Sequence, residues 1–422
     1  MRDYNENQRK VHDLFMKLYD DVMRSYPNPK RQPTDVIAKA LKDIRKMPDV
    51  KITLTDKNLG LAIFNTIDYH RLVLSHLENP VYRRVELPPD TSDNFYVSCI
   101  VDEAFRNLTR TVKFTKHESK FIDFQGDGSR SYIGIFHGLP KVHKNKPLPN
   151  MPLRPIIAGR PSQIQSRISV VLGNRLLPYL SKFKSILQKS ENLISDLQGT
   201  DIRNSYFISV DFESLYTSIP LKDLYNTLSS YNGFTSKFKS EIIDMLKFIF
   251  NHNFFYYADT LFRQTDGIAM GTNVAPIIAN LYLAIKFDSL IDTIPSISKF
   301  GRFIDDCIML VDSTNDFESR VLPQLKHFAS PINITFEKGI NSIDFLDLTI
   351  FRANDNIAFK IFQKPLNNYN YIPMMSHHPV STLRGFITGE LTRYKRYCTF
   401  QEDFQSIADL FFNRLLARGY PP

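Results

Sequence analysis

Between Phe300 and Val311 two adjacent carboxylates, Asp305 and Asp306, sit between apolar, strand-forming runs. The pattern predicts a tight β-hairpin with Asp305 and Asp306 at its turn. Hairpin geometry does not ask for two acids there, because the favoured two-residue turns use Asn-Gly or Asp-Gly, where positive φ is easy. Neighbouring carboxylates repel unless a cation lies between them or one takes up a proton. An isolated Asp-Asp reads most simply as a turn. A metal-binding tip needs at least one more carboxylate from elsewhere in the chain.

Asp211 supplies it. Tyr206-Phe207-Ile208-Ser209-Val210 is an apolar, β-rich run of the kind that forms a central strand, and Asp211 falls at its C-terminal edge. A strand-end carboxylate beside a tip carrying two more gives an all-oxygen set suited to Mg²⁺, which takes a few carboxylates and completes its shell with water and substrate phosphates. Two such ions about 4 Å apart activate a 3′-hydroxyl and stabilise a leaving pyrophosphate.

The chain has 422 residues, 43% of them hydrophobic, enough for a sizeable core in one multi-lobed domain or two to three smaller ones. A formal charge of +9 favours a polyanionic partner. The three cysteines, Cys99, Cys307 and Cys398, fit neither a zinc spacing nor a disulfide framework. The polar N-terminus resembles no signal peptide, and no apolar run reaches the length of a membrane span. A soluble, intracellular protein is expected.

In chain order, residues 1 to about 48 read as helical, with a second helix from Thr34 to Lys46. Ile52 to Phe64 reads as two strands about a polar turn, where Lys57 is most simply an exposed turn lysine. Gly126-Asp127-Gly128 reads as a plain loop. Lys141 and Arg154 stand at two strand-like ends joined by a basic, Pro-rich turn. Prolines would hold them with little disorder, and a lysine point charge with a forked guanidinium suits a triphosphate. Ser162 to Leu187 reads as a long helix broken near Pro178, Pro220 to Ser230 and Ser236 to Asn251 as helices, and Phe254 to Phe262 as a strand pair turning at Asp259-Thr260. Asp266 to Leu283 carries Gly267 and Gly271 ahead of a helix begun by Pro276, a loop that lets backbone or ligand approach closely. Val321 to Ala329 reads as a helix, and Ile332 to Glu337 and Phe345 to Ile350 as strands. From about residue 359 the chain is rich in Tyr, Arg and Lys and reads as a helical lobe suited to a nucleic-acid duplex. His377 and His378 read as packing or phosphate-contacting residues.

Together these pieces resemble a reverse transcriptase, and more narrowly the Penelope-like retroelement group, from about Lys51 to the C-terminus. Lys141 and Arg154 match residues that hold the incoming triphosphate, Asp211 the first catalytic carboxylate, and Phe212 the residue whose carbonyl helps ligate metal. Ala269-Met270-Gly271 resembles the Penelope-like form of a Gln-Gly motif. Phe303-Ile304-Asp305-Asp306 resembles the Tyr-x-Asp-Asp box. Phe345-Leu346-Asp347 looks like a primer-grip strand. Gln363-Lys364-Pro365, Ser376-His377-His378-Pro379 and Arg418-Gly419-Tyr420-Pro421 look like a thumb signature.

The resemblance implies an α+β right-hand polymerase fold. Its parts would be an N-terminal helical extension over 1–48, fingers over 49–200, a palm with an antiparallel sheet and the catalytic carboxylates over 201–358, and a thumb-like helical region over 359–422. It implies an RNA-directed DNA polymerase that uses two Mg²⁺ ions, with Mn²⁺ as a substitute, on an RNA template, a DNA primer and dNTPs, and a nuclear location in a eukaryotic host. Asp211, Asp305 and Asp306 would be both catalytic and metal-binding. Many Penelope-like proteins continue into a GIY-YIG endonuclease whereas this chain stops after Pro421, so target cleavage would fall to an endonuclease in trans.

Two alternatives remain. RNA-dependent RNA polymerases share the Asp…Asp-Asp layout but resemble one another in an acid five residues after the first Asp. Here Tyr216 would clash with a ribose 2′-hydroxyl, favouring deoxynucleotides. A catalytically silent RNA-binding or maturase-like protein could keep the fold, though no metal carboxylate is lost.

Overall fold

The computed structural model describes residues 39, 42–44, 46–123, 132–159, 163–314 and 316–421. The first expected helix, residues 34–38 of the second and the Gly126-Asp127-Gly128 loop lie outside them, while residues 39 and 42–44 of the expected Thr34–Lys46 helix are helical. The chain divides into two compact units, Met1–Glu78 with Leu139–Arg154, and Asn79–Gly138 with Pro155–Pro422.

In the first unit, β1 (Val50–Leu54) and β2 (Leu61–Asn65) pair antiparallel, from Val50↔Asn65 to Leu54↔Leu61. The connecting turn, Asp56–Asn58, holds Lys57 at φ 64°. Helix α1 (Thr66–Leu77) starts where the Asn65 side chain accepts the Ile67 N–H at 2.9 Å, meeting one of the donors a helix start leaves open. Tyr69, Leu72, Val73 and Leu77 recur on its buried face at helical spacing.

The second unit begins with β3 (Tyr82–Arg84), α2 (Asp93–Thr111), α3 (Lys116–Asp123), β4 (Gly134–Pro140) and β5 (Leu153–Ala158), the far end of β4 and the start of β5 falling in the first unit. Next come α4 (Ile164–Leu180), α5 (Ser190–Leu197), β6 (Ser205–Phe212), the short α6 (Leu215–Ser218), α7 (Leu221–Ser230) and α8 (Ser236–Asn251). Pro178 lies inside α4, which ends at Leu180 rather than Leu187 because proline removes a helical donor and crowds the preceding turn. The hairpin β7 (Phe254–Tyr257) and β8 (Thr260–Gln264) turns at Ala258-Asp259, both at positive φ, so Thr260 is already in the strand.

Helix α9 (Ala275–Leu283) runs through a π-turn at Ala284–Asp288 into α10 (Ser289–Ile291). The central sheet follows, with β9 (Ile297–Phe303), β10 (Asp306–Asp312), α11 (Leu322–Ala329) and β11 (Ile334–Gly339). Its strand order is β11-β6-β10-β9, every pair antiparallel. Interior β6 contributes apolar side chains to a core on each face. Ile208 and Val210 join Cys307 and Met309 in a core with α4 and α9, whereas Phe207 joins Ile308 and Leu310 in a second core.

That second core is closed by a three-stranded sheet of β12 (Ser342–Phe345), β13 (Leu348–Ala353) and β14 (Asn356–Ile361), and by helices α12 (Val380–Tyr397) and α13 (Gln401–Leu416). The single strand expected over Phe345–Ile350 is therefore two, broken at Leu346-Asp347 with Leu346 at φ 57°. Asp347 leaves the ladder because its carboxylate accepts the Ser190 hydroxyl and, at 2.6 Å, Arg393 Nη1. The first and last of the expected C-terminal motifs are tied to neighbouring residues. Arg414 donates to Gln363 at 2.6 Å, Arg418 Nε to Tyr371 O at 2.9 Å, and the Tyr420 hydroxyl to Ile372 O at 2.9 Å. His378 Nδ1 meets the Ser376 hydroxyl, and His377 is exposed. Among the described residues no helix is long and apolar enough to cross a membrane.

Candidate active site

Strands β6 and β10 bring two of the acids together. Asp306 is the direct cross-strand partner of Asp211, so both side chains stand on the same face, with Cβ atoms about 5 Å apart in such a pair. That face carries Thr335 beyond Asp211 and Phe303 beyond Asp306. The turn departs from expectation by one residue. Phe303 pairs with Asp306, which makes Ile304-Asp305 the turn and Asp306 the first residue of β10. The physical reason is Ile304 at φ 58°, a left-handed conformation that branched residues rarely adopt. Asp305 O accepts the Phe212 N–H at 3.2 Å, tying the turn to β6.

Of the remaining second-unit candidates, Phe212 ends β6 and Tyr216 follows it on α6. Phe212 is buried at 1% exposure, its ring edge-on to Phe287 at 5.0 Å, which leaves its backbone as the part available for chemistry. Tyr216 lies on α6, half-buried against the main core, and its carbonyl accepts the Ile268 N–H at 2.7 Å. The glycine loop is shaped by backbone contacts. A Cβ on Gly267 would stand 2.7 Å from Thr217 O, and one on Gly271 2.5 Å from Ile157 O. Both glycines have positive φ, and Met270 O accepts the Ile157 N–H at 2.9 Å. The loop therefore spans from α6 to β5. At the start of α9, the Val274 N–H is met by the buried Ser169 hydroxyl at 2.9 Å.

Lys141 and Arg154 lie in the first unit, and they share a feature that sequence reasoning missed. Asp56, only 3% exposed, accepts Arg154 Nε at 2.9 Å while the arginine side chain stays 46% exposed. Anchoring Nε fixes the plane of the guanidinium and leaves its outer edge toward solvent. Burial lowers the Lys141 pKa, Asp56 opposes that shift, and Arg154, Lys144 and Lys57 add to it. His143 is likewise lowered by burial and then by Lys57, with Asp56 again opposing. One buried acid thus sits among several cationic groups, an arrangement suited to a polyanion. The signal was the acid next to Lys57 in a turn flanked by strands.

Among the described residues no three His, Cys, Asp or Glu side chains converge into a ready-made cation cage. The donor set still fits Mg²⁺, which is usually bound through one or two carboxylates together with substrate phosphates. Like charges directly across a ladder are unfavourable by themselves, and a cation between them offsets that cost.

The reverse transcriptase (RNA-dependent DNA polymerase) family profile matches residues 151–338, and an animal helix-turn-helix domain profile matches 370–422, which hold α12 and α13. No curated protein sequence matches the chain. Among solved structures, the telomerase of Candida albicans in complex with a TWJ fragment of telomeric RNA is similar at 13% identity and a TM-score of 0.53, over 85% of this chain and 60% of that one. The telomerase of Candida tropicalis with a TWJ fragment is similar at 10% identity and 0.51, over 91% of this chain and 64% of that one. The chain thus spans less than two thirds of either, and identities this low speak to the fold alone. The fold is that of right-hand polymerases, and the span that matches the reverse transcriptase profile, residues 151–338, holds Asp211, Asp305 and Asp306.

Proposed function

We propose that the chain is an RNA-directed DNA polymerase that adds dNTPs to a DNA 3′ end on an RNA template, of the Penelope-like type. The observation that carries this reading is the cross-strand pair Asp211 and Asp306 with Asp305 in the adjoining turn. These acids would hold Mg²⁺, or Mn²⁺ in its place. When bound, such ions supply Lewis-acid activation of a 3′-hydroxyl and stabilise the leaving pyrophosphate. Phe212 would offer its carbonyl, Tyr216 would bar a ribose 2′-hydroxyl, and the Met270-Gly271 loop would shape the nucleotide's surroundings. Lys141 and Arg154 would receive the triphosphate, the Arg154 fork already oriented by Asp56. In this reading residues 49–200 serve as fingers, 201–358 as palm and 359–422 as thumb.

The test is primer extension on RNA and DNA templates, each with dNTPs and with rNTPs. Extension on RNA with dNTPs is expected. Extension with rNTPs alone would make the chain an RNA polymerase. Tight template binding without extension would make it a silent RNA-binding protein.

A further inference from the structure

Arg302 heads the fully buried side chains by volume, at 0% exposure, and it sits one residue from the strand end that leads into the catalytic turn. All five of its N–H donors are engaged. Nε donates to Asp288 Oδ1 at 2.8 Å. Nη2 donates to Asp288 Oδ2 at 2.8 Å and to Asn280 O at 3.0 Å. Nη1 donates to Asn280 Oδ1 at 2.7 Å and to Ile304 O at 2.9 Å. The acceptor Asp288 is itself held by the Ser185 hydroxyl at 2.7 Å. The Arg302 backbone is pinned too, its N–H on Ser185 O and its carbonyl under the Leu187 N–H, each at 2.8 Å.

Arg302 pairs with Cys307 across the hairpin, so it projects to the face opposite Asp211 and Asp306, toward α9 and the π-turn after it. A buried ion pair adds little net stability over apolar residues of the same size. Stability alone therefore does not account for an arginine here. No apolar side chain, however, could donate to Ile304 O. That carbonyl belongs to the peptide joining Ile304, at φ 58°, to Asp305.

We propose that Arg302 is the positioning residue for Asp305, with Asp288 and Asn280 as the mount that aims its guanidinium. This rests on reading Asp211, Asp305 and Asp306 as cation ligands. The Nη1 contact holds the Ile304-Asp305 peptide in one orientation from behind the sheet. Without it the turn relaxes from its left-handed conformation, the Asp305 carboxylate spreads over several directions, and the cation is held less tightly. Nucleotide and template contacts are untouched. The sequence signal is a lone arginine in the run Phe300-Gly301-Arg302-Phe303, where strand alternation turns it inward.

The test measures Mn²⁺ binding to the purified chain, by the electron paramagnetic resonance signal of free Mn²⁺, alongside thermal melts. Wild type is compared with Arg302→Lys, Asn280→Ala and Asp305→Ala. Lysine keeps a charge beside Asp288 but loses the fork. Asn280→Ala keeps the Arg302–Asp288 pair, removes one acceptor from Nη1, and puts a good helix former on α9, so it carries the test if Arg302→Lys does not fold. Arg302→Lys is expected to weaken Mn²⁺ binding about tenfold, in the range for residues that orient metal ligands. Asn280→Ala is expected to weaken it less, and Asp305→Ala to remove the site. Unchanged affinity in folded Arg302→Lys and Asn280→Ala, with loss in Asp305→Ala, overturns the positioning role and leaves the metal site standing. Unchanged affinity in Asp305→Ala overturns the metal-site reading and this inference with it.

Discussion

Ile304 and Tyr216 show what single residues contribute. A left-handed conformation costs a branched residue about 1–2 kcal/mol. Ile304→Gly removes that cost, but glycine gives back about 0.5–1 kcal/mol in chain entropy and loses the packing of a half-buried side chain. The terms nearly cancel, so the melting temperature should stay within a few degrees while single-turnover extension falls, because glycine frees the turn. A melt shifted far downward would contradict this balance. Tyr216 packs partly on the core, so Tyr216→Ala should cost about 1–2 kcal/mol and also raise ribonucleotide incorporation relative to deoxynucleotide. A folded variant with an unaltered dNTP/rNTP ratio would reject the sugar-excluding role. The acids themselves were legible in the sequence because Asp211, Asp305 and Asp306 interrupt apolar strands. The turn was misplaced because turn signals rest on Gly and Asn, whereas Ile304 and Leu346 take positive φ despite their bulk. Bulky residues in that conformation give no local cue, since tertiary contacts hold them there.

At the level of elements, helices α3, α4 and α8 are joined by Arg175, which meets Glu118 at 2.8 Å and Glu241 at 3.2 Å. The Arg175 hydrogen bond is the main cause that lowers the Glu118 pKa from 4.5 to about 2. A depressed carboxylate stabilises the fold above its unfolded pKa and stops doing so as pH falls through its folded one. The Glu118 contribution should therefore be complete above about pH 4.5 and fade toward pH 2. Urea melts of wild type and Glu118→Gln should differ at pH 6 and converge near pH 2, and a difference that stays constant with pH would contradict the linkage. Most elements were legible from periodicity, as with α8 and β6. The break in β12–β13 was not, because Asp347 is drawn out of the ladder by Ser190 and Arg393, which are distant in sequence. The glycine loop was recognisable as a close approach, but which neighbours approach, Thr217 and Ile157, is a tertiary fact.

For the molecule as a whole, the right-hand polymerase fold is what the ordered motifs implied, and the reverse transcriptase profile matches the stretch that carries the acids. Legibility ended where long-range pairing decides the outcome, as at Asp56 with Arg154 and Arg302 with Asp288. The central claim is that strand-borne acids hold the reacting ions while basic residues elsewhere hold nucleic acid. Single-turnover extension of a DNA primer on an RNA template, with template–primer affinity measured on the same samples, tests it most directly with Asp211→Ala. The account predicts that extension is lost while affinity stays within about twofold of wild type, since phosphate contacts come from basic groups. Wild-type extension by Asp211→Ala, or a loss of affinity that accounts for all of the lost extension, would contradict it.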